Sequence, residues 1–208
     1  MKLYDYVLSG NCYKIRLLLD FLEIAHEKQA VDFFPGLEHK SDAFLRINPL
    51  GQIPVLEDDG AHIRDAQAIL VYLASRYDPD NTWWPVNDPA QLGRVAQWLA
   101  FADSITSTAS AARLHDVLGY DLDVEQARAG AHRLFRILDD HLANQELQGF
   151  DWIAGPNATV ADIACFPYTA LAGDGGIDLF YYPAIQRWIR RFVHLPHFKL
   201  MPGINIFA

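Results

Sequence analysis

The chain opens on a short run of β-type residues, Lys2-Leu3-Tyr4-Asp5-Tyr6-Val7-Leu8, which predicts a strand. The small-residue stretch Ser9-Gly10-Asn11-Cys12 follows and leads into the apolar-rich Ile15-Arg16-Leu17-Leu18-Leu19, read as a helix. A further strand is expected near 28–32, then a loop and short helix from Phe34-Pro35-Gly36 to Ala43-Phe44-Leu45. Gln52-Ile53-Pro54-Val55-Leu56 reads as a strand, Asp58-Asp59-Gly60 as a hairpin turn, and Ala61-His62-Ile63 as the partner strand. Residues 65–76, apolar at Ala68, Ile69, Leu70, Tyr72 and Leu73, close this part as a helix. The order is β-α-β-α-β-β-α, a small α/β domain over residues 1–77.

Residues 78–88 are rich in turn formers and read as a linker. Residues 89–208 carry only helical patterns. Asp88 and Pro89 supply a cap and a first helical position, and Leu92, Val95, Leu99, Ala102 and Thr106 recur at helical spacing. Asp123 and Gln126 suggest a capping box ahead of the stripe Ala127, Ala131, Leu134, Leu138 and Leu142. Thr159-Val160-Ala161-Asp162 suggests a second box, and Pro183 opens a last helix with Ile185, Trp188, Ile189 and Phe192 apolar. The fold class is therefore an α/β half followed by an all-α half, without internal repeats.

With 208 residues, half of them hydrophobic, the chain can bury a core without disulfides. Its net charge of −9 argues against a nucleic-acid surface, although Lys14, Arg16, His39, Lys40 and Arg64 could keep one region locally positive. Two cysteines, Cys12 and Cys165, make no disulfide framework. No apolar run is long enough to span a bilayer, and no signal peptide is recognisable. The expectation is a cytoplasmic protein that engages neither membrane nor nucleic acid. The histidines show no metal-ligand spacing, and no phosphate loop or serine–histidine–acid arrangement is legible.

Chemistry concentrates at Ser9-Gly10-Asn11-Cys12. A strand, a tight turn and a helix start together make a place to hold an anion, because the helix N-terminus carries about half a positive charge. A thiol redox enzyme would carry Cys-x-x-Cys here. This chain has serine at the first position, which removes the dithiol but keeps a hydrogen-bond donor where a thiolate would sit. The thiolate then belongs to a ligand. Ser9 also reads simply as a helix cap. Cys12 reads either as a second reactive sulfur or as a small residue packed at a helix start.

Four motifs in order carry a resemblance to a known family: Leu8-Ser9-Gly10-Asn11-Cys12-Tyr13-Lys14-Ile15-Arg16-Leu17, Asn48-Pro49-Leu50-Gly51-Gln52-Ile53-Pro54-Val55-Leu56, Asp65-Ala66-Gln67-Ala68-Ile69-Leu70-Val71-Tyr72-Leu73 and Thr159-Val160-Ala161-Asp162-Ile163-Ala164. Over nearly its whole length the chain resembles the cytosolic glutathione S-transferases, and among them the serine-type, theta-like and bacterial members. The resemblance implies a thioredoxin-like N-terminal domain, a helical C-terminal domain, a homodimer, and detoxification chemistry with glutathione as co-substrate and no other cofactor.

It also implies roles. Ser9, helped by Asn11, would hold the glutathione sulfur as thiolate, with Cys12 as the rival actor and the strand residues Tyr4 and Tyr6 as less direct donors. Ile53-Pro54 matches the family's cis-proline position, which would turn the Ile53 backbone toward an extended peptide. Asp65 and the Ala66 N–H would hold the γ-glutamyl end; the family's serine is alanine here, which deletes one hydrogen bond. Asp103 matches an aspartate that reaches the ammonium across the dimer in some relatives. His39 and Lys40, with Gln52 beside them, would receive the glycyl carboxylate. Asp65, Asp103, His39 and Lys40 equally read as ordinary cap or surface residues. The electrophile, largely apolar, is expected near Ser107, Ala111, Leu114 and His115. The alternatives are a glutathione-dependent peroxidase or disulfide reductase on the same site, and a non-catalytic binding module.

Overall fold

The structure, a computed structural model, describes residues 1–204; the last four residues of the expected helical domain, 205–208, lie outside the described residues. Strands β1 (Lys2–Asp5), β2 (Glu27–Ala30), β3 (Val55–Asp58) and β4 (Ala61–Arg64) form one sheet in the order β2-β1-β3-β4. β1 and β2 run parallel through the crossover helix α1 (Gly10–Phe21), whereas β1–β3 and β3–β4 are antiparallel, with Leu3 opposite Leu56 and Leu56 opposite Ile63. β1 stops at Asp5 rather than Leu8, which leaves Tyr6–Leu8 as a loop into the Ser9 turn. β3 begins at Val55 rather than Gln52: Pro54 has no N–H for the ladder, and the Ile53–Pro54 peptide bond is cis. A second cis bond, Phe34–Pro35, gave no signal in the sequence reading.

After the short α2 (Asp42–Leu45) and the β-hairpin comes α3 (Ala66–Tyr77). The helical part is α4 (Pro89–Ile105), α5 (Ala111–Leu118), α6 (Val124–Leu147), α7 (Val160–Ala170) and α8 (Pro183–Phe192). Asp88 caps α4 as expected, accepting from the N–H groups of Ala90 and Gln91 at 3.0 Å. The α4 stripe does not continue unbroken. Thr106–Ser110 winds as a π-helical segment between α4 and α5, and the Thr106 hydroxyl bonds back to Ala102 O at 3.0 Å.

The capping box before α7 forms in full: Thr159 N–H donates to Asp162 at 2.9 Å and Ala161 N–H to the Thr159 hydroxyl at 3.3 Å. Asp162 is completely buried and also accepts from Ile153 N–H at 3.0 Å and from the Trp188 indole at 2.9 Å, so it ties α8 to α7. Of the other box, the recorded bond runs from Gln126 N–H to Asp123 at 2.9 Å. Helix α7 is buried through Val160–Thr169 and packs on α1, α3 and α4. A single body of buried apolar side chains therefore runs from Leu3 of the sheet through both halves to Phe192 of α8.

Candidate active site

Where the sheet part meets α4, α5 and α7 there is a cleft of ≈ 450 Å³, within the usual size of a small-molecule site. The Ser9 turn forms its floor. Ser9 is the N-cap of α1, and its hydroxyl oxygen accepts from Cys12 N–H at 3.2 Å. That bond uses an oxygen lone pair and does not use the O–H, and Ser9 lines the cleft. Gly10 lets α7 come close: a Cβ there would stand 2.6 Å from the Tyr168 ring. Tyr168 in turn accepts from Asn11 N–H at 3.2 Å, so the turn is seated on the helical half, and the Asn11 backbone N–H is spent on that contact. The Asn11 Oδ1 is buried with no partner among the described residues.

Cys12 points the other way. Its side chain is fully buried and does not line the cleft. Burial, then the charge of Asp5, pushes its thiol up to about 12. Of the two readings of Cys12, the burial fits a residue packed at the helix start and not a second reactive sulfur, and Cys165 is buried likewise. Tyr4 is likewise turned away, its hydroxyl on Glu57 at 3.2 Å, whereas Tyr6 lines the cleft beside Phe33 with ring centres 5.4 Å apart.

Asp65 stands at φ 74°, a region sparsely populated by residues with a Cβ, and its carboxylate accepts from Ala68 N–H at 3.0 Å. Asp65 and the start of α3 at Ala66 line the cleft together with Asp103 of α4. Asp103 lines the cleft, accepts a hydrogen bond from Gln67, and has its pKa raised by burial and by Asp65. Beneath them Lys14 is completely buried, with no hydrogen-bond partner for its ammonium among the described residues, 5.5 Å from the centre of the Tyr168 ring. Burial draws its pKa down to about 8 against the pull of Cys165, Asp103 and Asp65.

At the other end stand His39, Lys40, Gln52, Ile53 and Pro54. His39 stacks on Phe33 with centres 4.2 Å apart, and burial, reinforced by Lys40, holds its pKa below the ordinary 6.5. That shift favours the neutral imidazole of His39; the Lys40 ammonium donates to Gly51 O at 2.8 Å. Ile53 lies outside the β1–β3 pairing, which leaves its backbone groups free for an extended ligand.

The helical wall differs from the sequence expectation. Ala111 and Leu114 line it, whereas Ser107 and His115 do not; His115 is paired with Asp116 at 2.8 Å. Ser110, Arg113, Tyr120 and Tyr168 do line it and were not anticipated. Arg113 carried a signal in retrospect, as the lone charge in the small apolar run Ala111-Ala112-Arg113-Leu114.

A family model described as the glutathione S-transferase N-terminal domain matches residues 3–81, and one described as the C-terminal domain matches residues 111–196. A glutathione S-transferase from Pseudomonas fluorescens, known from its crystal structure, is 31% identical and superposes with a TM-score of 0.85, covering 97% of this chain and 98% of that one. The chain belongs to the glutathione S-transferase family. It is a glutathione transferase. Further relatives are glutathione S-transferase GstB of Escherichia coli, 28% identical over 200 residues and 90% of each chain, and the theta-1 glutathione S-transferase of Mus musculus, 29% identical over 201 residues, 92% of this chain and 81% of the mouse protein. The transferase cleft thus brings together Ser9, Asn11, His39, Lys40, Gln52, Ile53, Pro54, Asp65, Ala66 and Asp103, and leaves out Cys12. Among the described residues no helix is long and apolar enough to cross a membrane, and no cluster of His, Cys, Asp and Glu could hold a metal ion.

Proposed function

We propose that this transferase binds glutathione along the Lys40–Ile53–Asp65 side of the cleft and that Ser9 holds its sulfur as the thiolate that attacks an electrophile. The observation that carries the reading is the Ser9 hydroxyl at the cleft floor, fixed as a cap acceptor by a bond that does not use its O–H. A free thiol titrates near ~8.5, and lowering it by ~2 units requires about 2.7 kcal/mol of preference for the anion. One hydrogen bond to a charged acceptor supplies roughly 1.5–3 kcal/mol, and a helix N-terminus about 0.3–1. Ser9 and α1 together suffice.

The charges in the cleft are ordered to match the tripeptide. Asp65 and Asp103 face the γ-glutamyl ammonium, the Ala66 N–H at the start of α3 receives the α-carboxylate, and Lys40, with neutral His39 and Gln52 as donors, receives the glycyl carboxylate. Ile53 pairs with the cysteinyl backbone. The wall formed by α5 and the π segment receives the electrophile. We place the enzyme in the cytoplasm as a homodimer. Glutathione-dependent peroxide or disulfide reduction is the second reading; it needs only that the same thiolate meet a different acceptor, and its support is the Ser9-x-Asn11 pattern, both of whose residues line the cleft.

Calorimetry with glutathione, followed by turnover on an aryl halide, a hydroperoxide and a disulfide, tests the reading. Saturable binding with aryl-halide conjugation the fastest is the expected outcome. Absence of binding at millimolar glutathione contradicts the site itself, and faster reduction than conjugation replaces the first reading with the second.

A further inference from the structure

The proposed glutathione site engages the charges of one flank of the cleft and leaves one charge on the other. Arg113, on α5, is 6% exposed and lines the cleft on its helical wall. Its Nε donates to Asp174 at 3.0 Å and its Nη1 to the carbonyl of Leu8 at 3.0 Å. A guanidinium has five N–H donors, and these contacts use two. Among the described residues no hydrogen bond uses Nη2, and Arg113 lines the cleft.

Asp174 binds end-on through Nε and does not line the cleft. It aims the guanidinium without covering its outer edge. Leu8 directly precedes Ser9, so the second contact fixes that edge beside the turn where the glutathione sulfur arrives. Among the described residues the titratable groups facing Arg113 are Asp174 from the turn after α7, Tyr168 from α7 and Tyr6 from the loop after β1. Both phenols have their pKa raised by burial, so they stay neutral. Among the described residues, Asp174 is the one carboxylate paired with Arg113, and it does not line the cleft.

Burying a cation with donors unspent costs stability unless a ligand completes it. Arginine is suited to planar oxyanions, which accept two parallel bonds. We propose that Arg113 receives an anionic group, a carboxylate or similar oxyanion, on the electrophile, whose apolar or aromatic body lies against Phe33, Leu114 and Leu118. This rests on the glutathione reading above and names the substrate class it left open. With a chloronitrobenzoate, for example, the thiolate sulfur attacks the ring carbon bearing chlorine. The C–S bond forms, the C–Cl bond breaks, and chloride leaves with the bonding pair. The thiol proton has already gone to solvent, and the carboxylate on Arg113 is unchanged.

The test compares a chloronitrobenzoate with the matching chloronitrobenzamide, which presents the same reactive carbon without the charge. The ratio of their kcat/KM values is measured in the wild type and in Arg113→Gln. The ratio is expected to fall about 10- to 100-fold in the variant, the weight of a charge-assisted hydrogen bond. An unchanged ratio overturns the proposal, because loss of the Leu8 anchor alone would slow both substrates equally. Calorimetry on the wild-type protein with glutathione present gives a measurement independent of the variant's folding. Unreactive nitrobenzoate should bind about tenfold or more tightly than nitrobenzamide and compete with the electrophile; equal or weaker binding overturns the proposal. Turnover of the amide without any preference for the anion removes this inference alone, whereas absence of glutathione binding removes the reading beneath it.

Discussion

At the scale of single residues, the site depends on which groups are left with something to donate. Ser9 caps α1 with its oxygen and that bond does not use its proton, so the structural role and the chemical role proposed for it can coexist in one hydroxyl. Cys12, three residues on, belongs to the core, where burial raises its thiol. The native protein should therefore resist a thiol reagent at neutral pH and release two reactive thiols only on unfolding; rapid native labelling would show Cys12 to be accessible. Lys14 offers a test of the buried charge. Its folded pKa of about 8 lies below the ordinary 10.5, so between those values the unfolded chain binds the proton and the folded one does not. Stability from this group therefore rises with pH across that window. Lys14→Met, close in volume, should be more stable than wild type by about 1–3 kcal/mol near pH 7, with the advantage shrinking toward pH 10 in urea denaturation. A pH-independent difference would mean the ammonium is not the source. Asp103 has its pKa raised by burial and Asp65, so it protonates above the usual 3.8 as pH falls. Glutathione KM should accordingly rise on the acid side, and Asp103→Asn should remove part of that rise.

At the scale of elements, local signals were legible and packing-dependent ones were not. The Thr159–Asp162 box forms as the sequence suggests because both partners lie within one helical turn. The sequence could not show that Asp162 also holds Ile153 and Trp188, contacts across 9 and 26 residues. Asp162→Ala leaves the N–H groups of Ile153 and Thr159 and the Trp188 indole without their acceptor. At about 1–3 kcal/mol for each orphaned donor, the loss should be roughly 3 kcal/mol or more, read as a lowered midpoint in urea. A loss under about 1 kcal/mol would mean that other groups take up these donors. The π segment at Thr106–Ser110 is the opposite case. Its composition reads as ordinary helix, and on this stretch the sequence reading expected Ser107 and His115 in the cleft where the structure places Ser110 and Arg113. Ala111 and Leu114, just beyond the segment, line the cleft as expected.

At the scale of the whole molecule, the division into an α/β half and a helical half is clear in the pattern, yet the packing crosses it. Helix α7 lies against α1 and α3, Tyr168 seats the Asn11 N–H, and Arg113 holds the Leu8 carbonyl. The helical half therefore builds the turn as well as the wall facing it. The side proposed for glutathione was legible because its residues lie in short motifs whose local geometry is set by turns and helix starts. The wall facing it was not, because its members come together only through the docking of α5 and α7 on the Ser9 turn. The central claim is that Ser9, in this jointly built turn, stabilises the glutathione thiolate. The direct measurement is a pH titration of the thiolate's ultraviolet absorbance in the protein–glutathione complex, in wild type and in Ser9→Ala. The bound thiol should titrate about 2 units below its free value in the wild type and return most of the way to ~8.5 in the variant. An identical midpoint in both proteins would contradict the account.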